Sequence, residues 1–145
     1  MPSASFAHSV TVACDRATIW DTMQHIQTWA NIGPVEEAWN PVHDDRGILI
    51  SYAWSTTVAG RRYEGTAETI EHKSPELFRV SLDGGEVGGI LETQLNGSGK
   101  KSTDLVVTLD IRSQGMMSSI FFPVIRDAVG KGFGDQVDEF AAQFG

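Results

Sequence analysis

The sequence predicts an α+β domain: a curved seven-stranded antiparallel sheet around one long C-terminal helix, with two short helices after the first strand. Three observations carry this. From Val35 to Ser113 the chain reads as strand after strand, separated by short breaks rich in Gly, Asn, Asp and Pro. After Met116 an apolar stripe recurs at helical spacing. Near the N-terminus a strand gives way to a stretch of helical period.

In residues 6–13, Val10 and Val12 share one face, the mark of a strand. Asp15 stands where an N-cap belongs, and Ile19, Trp20, Met23 and Ile26 recur at helical spacing, so a helix runs to about His25. A second short helix covers Gln27 to Asn31, until Gly33-Pro34 stops it. Strands follow near 35–43, 48–58, 61–72, 76–83, 86–95 and 102–113. The breaks are Asp44-Asp45-Arg46-Gly47, Ala59-Gly60, Ser74-Pro75, Gly84-Gly85 and Asn96-Gly97-Ser98-Gly99. In such turns Gly or Asn reaches positive φ, Pro presets the bend, and Asp or Ser bonds its own backbone. Breaks this short make consecutive strands antiparallel hairpins.

Phe122, Ile125, Val129, Phe133, Val137, Phe140 and Phe144 are spaced three or four apart, one stripe of a final helix. Asp127, Lys131, Asp135 and Asp138 fall on the far side. Pro123 either starts this helix or kinks it. Gly130, Gly132 and Gly134 each cost up to ~1 kcal/mol relative to alanine, so tertiary packing must hold the helix. A large sheet curled about a single helix leaves a hollow between them, the natural place for a ligand.

A chain of 145 residues suits one domain, 1–145, whose core needs no disulfide or metal. The net charge of −8 repels nucleic acid and anionic membranes. Arg61-Arg62 and Lys100-Lys101 read as solvated turns. Cys14, the only cysteine, has no internal partner, which fits a reducing compartment. Met1 to Val10 has no signal-peptide pattern, and the apolar run Ile120 to Ile125 is broken by Pro123 and far short of a membrane span. The expectation is a cytoplasmic monomer or weak homodimer, without membrane insertion, metal or other cofactor.

The order of elements and three local sequences resemble the START/SRPBCC superfamily, which includes Bet v 1-like proteins, polyketide cyclases/dehydrases and lipid-transfer proteins. VTVACDRATIWDTMQHIQTWANI is similar to the family's opening strand and helices, with Ile19-Trp20 and Trp29 as its markers. GSGKKSTDLVVTLDIR resembles its last turn and strand, and the segment from Met116 its C-terminal helix. The resemblance implies the helix-grip fold and an internal cavity for a small hydrophobic ligand, either carried or chemically altered. It implies no shared catalytic motif.

Strand parity selects the side chains that can reach such a cavity. Leu105, Val107, Leu109 and Ile111 share one face of the last strand, and Phe78, Val80 and Leu82 one face of the 76–83 strand. On 48–58, Ile50, Tyr52 and Trp54 point inward. On 61–72, the resemblance favours Tyr63, Gly65, Ala67 and Thr69. On 86–95, Val87, Leu91 and Leu95 compete with Ile90, Glu92 and Gln94. On 35–43, Trp39 is taken as inward over Ala38. Trp20 and Trp29 pack the short helices on the sheet. Two polar residues fall on apolar faces: His8, in phase with Val10, and Arg126, about 40° around the helix from Phe122. Either would orient a polar group on the ligand. The predicted lining is His8, Val10, Trp39, Tyr52, Trp54, Tyr63, Phe78, Val80, Leu82, Leu105, Val107 and Leu109 from the sheet, with Phe122, Arg126, Val129 and Phe133 from the helix.

No catalytic set emerges. His25, His43 and His72 lack metal-ligand spacing, and nucleophile-elbow, dinucleotide and phosphate-loop motifs are absent. The superfamily's aromatase/cyclases carry an arginine on the fourth strand; the matching position here is Thr69, with Ala67, Val107 and Leu109 at neighbouring pocket positions. The leading expectation is a carrier or sequestering protein for a lipid, isoprenoid or polyketide-like molecule. A cyclase/dehydratase-type enzyme using His8, Tyr52, Tyr63 or Arg126 is the alternative, and a surface-mediated partner-binding protein the third.

Overall fold

Four of the five short breaks in the strand-rich region reverse the chain, with Gly47, Gly60 and Gly85 at positive φ in three of these turns. In the computed structural model, which describes residues 2–29, 35–58 and 60–144, the elements are β1 (Ser3–Val12), α1 (Arg16–Met23), α2 (Ile26–Trp29), β2 (Glu37–His43), β3 (Leu49–Val58), β4 (Arg61–Lys73), β5 (Leu77–Asp83), β6 (Val87–Gly99), β7 (Ser102–Ser113) and α3 (Met116–Ala142). All strands form one antiparallel sheet in the order β1-β7-β6-β5-β4-β3-β2. The tail of the second helix at Ala30-Asn31, its stop at Gly33-Pro34, Ala59 of the second turn and the packing expected of the Trp29 side chain lie outside the described residues.

Asp15 caps α1: its carboxylate accepts the Thr18 hydroxyl at 2.7 Å and the Thr18 backbone N–H at 3.3 Å. These bonds hold the Asp15 carboxyl below its usual range. Gln24, buried at the end of α1, fastens the short helices to the β2–β3 hairpin. Its side-chain carbonyl accepts the Leu49 N–H at 2.9 Å, its amide donates to the Trp20 carbonyl at 3.1 Å, and His43 Nε2 lies 2.8 Å from its backbone carbonyl.

α3 lies across the inward face of the sheet with its stripe buried: Phe122, Ile125, Val129, Phe133, Val137 and Phe140. Fully burying each of the larger ones contributes roughly 1.5–3 kcal/mol, offsetting the helix's glycines. Two of those glycines mark where β1 presses on the helix. A Cβ on Gly130 would lie 2.7 Å from the Phe6 ring, and one on Gly134 would lie 3.2 Å from the His8 ring. The helix begins at Met116, so Pro123 sits within it.

Three sequence expectations are corrected. Asn96 to Gly99 is the end of β6, not a turn: Asn96 pairs with Asp104, Gly97 with Thr103 and Gly99 with Ser102, leaving Lys100-Lys101 to turn. Leu49, not Ile50, is the buried residue opening β3, where pairing with β2 shifts register. Trp39 faces outward. It pairs with Ala53, while Ala38 pairs with the buried Trp54 and joins the core. The edge strand's bulge, with Asn40 at φ 55, makes simple alternation a poor guide there. The open choice on β6 resolves to Val87, Leu91 and Leu95 inward, with Glu92 outside, 3.2 Å from Arg79.

Candidate functional site

The inward face is filled unevenly. At one end, α1 and the C-terminal half of α3 leave no space: Trp20 packs on Phe78 with ring centroids 5.4 Å apart, and Ile19, Met23, Val137 and Phe140 are buried around them. At the other end no second helix is found among the described residues, and a cavity opens between α3 and the sheet. The hollow is narrow: about 530 Å³ of space free of atoms when its open mouth and crevices are counted, of which the centre of a water molecule could occupy about 50 Å³.

Trp54, Thr56 and Val58 of β3, Tyr63 of β4 and Leu82 of β5 form one wall. Val87, Gly88 and Gly89 of β6 with Leu109 and Ile111 of β7 form the other, under Ile125 and Val129 of α3 and beside Val35. The glycine at position 89 helps to keep this space empty. A Cβ there would lie 2.3 Å from the Asp110 carbonyl oxygen, so no side chain projects into the hollow between Val87 and Leu91. Trp54 is held in place by its indole N–H, which donates to the Thr66 carbonyl at 2.8 Å, and by Gly84, where a Cβ would stand 3.0 Å from the ring.

Of the residues expected to line the cavity, Trp54, Tyr63, Leu82, Leu109 and Val129 do so. Tyr52, Phe78, Val80, Leu105, Val107, Phe122 and Phe133 are buried but do not line it. Phe78 belongs to the end that α1 fills, against Trp20. Val10 is half-buried on β1. Trp39 is on the outer face, as above. His8 points toward α3, its Nε2 2.8 Å from the Asp138 carboxylate, away from the cavity. Arg126 is exposed, with its Nε 3.2 Å from Asp127. Its aliphatic stem follows the helix flank while the charge remains in water. Burial pushes the Tyr52 phenol well above its ordinary pKa, so it is a poor acid. Thr69, at the position matching the cyclase arginine, donates its hydroxyl to the Leu49 carbonyl at 2.7 Å.

Two grooves lead to the mouth, both bordered by Val58. One runs past Glu36, Gly132 and Gln136. The other runs between Arg61 and Tyr63 on one side and Met117, Ser118, Phe121 and Val124 on the other. Parity counting on β4 would have found Arg61, since it is in phase with Tyr63; reading the Arg61-Arg62 doublet as a turn hid it. Along and beyond the second groove the helix exposes Met116 (82% exposed), Met117, Ile120, Phe121 and Val124 in a run without charge. Among the described residues there is no cluster of three or more His, Cys, Asp or Glu arranged to hold a metal, and no helix long and apolar enough to cross a membrane.

No protein-family profile matches this sequence, and no curated protein does. Solved structures do. A Thermus thermophilus protein superposes with a TM-score of 0.75 at 10% identity, covering 97% of each chain. A START superfamily protein from Mycobacterium smegmatis gives 0.65 at 15% identity, covering 93% of this chain and 97% of its own. An aromatase/cyclase from a Streptomyces species gives 0.64 at 16% identity, covering 98% and 86%. The fold is therefore that of the START superfamily, the helix-grip, as the local sequences implied. At such identities the likeness extends to the fold and not to any ligand or reaction.

Proposed function

We propose that this protein is a carrier or sequestering protein that holds a small, largely apolar molecule in the cavity between α3 and the β3–β7 wall. The lining carries this reading. Among its described residues the only polar side-chain groups are the hydroxyls of Thr56 and Tyr63 and the Trp54 indole N–H, which is already bonded to the Thr66 carbonyl, with no carboxylate, imidazole, thiol or ammonium. A general acid–base enzyme needs proton-transfer groups within reach of the reacting atoms. Of the four candidates His8 and Arg126 lie elsewhere, Tyr52 is buried outside the lining, and Tyr63 alone reaches the cavity, with no carboxylate or imidazole beside it in the lining to share a proton. The fold's cyclase relative supports a polyketide-like ligand as one member of the class, beside lipids and isoprenoids. We infer further a cytoplasmic protein, monomeric or weakly dimeric, working without a metal or cofactor. The exposed run from Met116 to Val124 favours a second reading, in which a partner covers this surface.

The test is a thermal-shift series with neutral apolar compounds: a fatty alcohol, a prenyl alcohol and a fused aromatic. A ligand that binds only the folded state raises the melting temperature in proportion to RT ln(1 + [L]/Kd). At least one class should do so saturably. A flat response to all three classes would refute the carrier reading.

A further inference from the structure

The lining of the proposed cavity carries no charged side chain, yet a cation with most of its donors free stands at its mouth. Among the described residues, Arg61 is the only Lys or Arg on a strand in phase with the inward-facing side chains. It stands two residues before Tyr63, which lines both the cavity and the outer groove. Its guanidinium lies over the Tyr63 ring, 5.4 Å from the centroid. Its ion-pair partner is Glu86, at 3.6 Å. That distance is too long for a hydrogen bond, so the five-donor fork is almost entirely unused. Its neighbour Arg62 is different: it donates to Glu64 at 2.7 and 3.2 Å.

We infer that the ligand is an amphiphile with a carboxylate at one end, whose anionic head is held by Arg61 at the mouth while its apolar body fills the cavity. The path exists in the structure. Tyr63, Val58 and Ile125 border both the groove and the cavity, and Met117, Phe121 and Val124 supply an apolar wall along the groove. An arginine fork matches a carboxylate in two parallel hydrogen bonds. The head stays at the surface, so a charge need not be buried in the dry interior. Glu86 competes for the same guanidinium and is the group the ligand displaces.

This inference rests on the carrier reading, and the test separates the two. Affinities of dodecanoate and dodecanol are measured by calorimetry for wild type, Arg61→Met, Arg62→Met and Glu86→Gln, at neutral pH and moderate salt. Wild type and Arg62→Met should prefer dodecanoate by about tenfold, the low end for a charge-assisted contact because Arg61 is half exposed. Arg61→Met should lose that preference while binding dodecanol as before. Glu86→Gln, which removes the competitor, should bind dodecanoate more tightly, and this arm stands even if Arg61→Met fails to fold. Equal affinities in wild type, a preference that survives Arg61→Met, or no gain in Glu86→Gln would overturn the role of Arg61 and leave the cavity reading intact. Failure of every variant to bind either compound would overturn both.

Discussion

The three glycines of α3 are a controlled comparison. Replacing each with alanine yields the same gain in helix propensity, up to ~1 kcal/mol. What differs is the neighbour. At Gly132 a Cβ meets nothing within 4 Å, so the gain is realised: Gly132→Ala should stabilise by about 0.5–1 kcal/mol, or about 1–4 °C in melting temperature for a chain of this size. At Gly134 a Cβ stands 3.2 Å from the His8 ring, itself bonded to Asp138, and the gain and the crowding should cancel to within about 0.5 kcal/mol. At Gly130 it would lie 2.7 Å from Phe6, whose ring packs 6.1 Å from that of Phe133. Overpacking of this kind costs roughly 1–3 kcal/mol, leaving Gly130→Ala up to about 2 kcal/mol less stable than wild type. Urea denaturation of the three variants gives the ranking. If Gly130→Ala were as stable as Gly132→Ala, β1 would not be clamping the helix, and the closed side of the cavity would be wrongly described.

Trp54 lines the cavity and Trp39 lies outside it, so an apolar ligand should change tryptophan emission in Trp39→Phe and much less in Trp54→Phe; titrations of both folded variants decide it. Arg126→Met should leave the affinity for anionic and neutral ligands unchanged and shift stability by less than about 0.5 kcal/mol, since its charge is in water beside Asp127. Asp15→Ala should melt below wild type at neutral pH. Because Thr18 holds the carboxyl of folded Asp15 below its ordinary value near 4, its contribution is present above that value and lost as pH falls through the folded pKa. The gap between the two melting curves should therefore close in acid.

The fold was legible because its signals are redundant. The α3 stripe, the Asp15 cap and the hairpin breaks each specify a local structure, and together they admit few topologies. Alternation was reliable on β7 and β5, central strands flanked on both sides, where Leu105 to Ile111 and Phe78 to Leu82 are buried as expected. It failed on β2, an edge strand with a bulge, and Trp39 was misplaced with it. The extent of the cavity was less legible. Periodicity tells which face a residue occupies but not which end of the sheet is plugged, and that depends on how α1 seats Trp20 on Phe78 while Met23, Val137 and Phe140 are buried in the same core. Arg61 was missed because a basic doublet after Gly60 has the composition of a turn, whereas the pairing Val58↔Arg61 places it already in β4.

The central claim is that an apolar molecule enters this cavity and does not merely coat the exposed face of α3. Methyl-resolved NMR during titration with dodecanol tests it most directly, because both locations carry their own methyl groups. The account predicts that the signals of Val58, Leu82, Leu109, Ile111, Ile125 and Val129 shift together and saturably, with contacts from ligand protons to Leu109 and Ile111. Shifts confined to Met116, Met117, Ile120 and Val124, with the Leu109 and Ile111 methyls unmoved, would contradict it and make the helix surface the binding site.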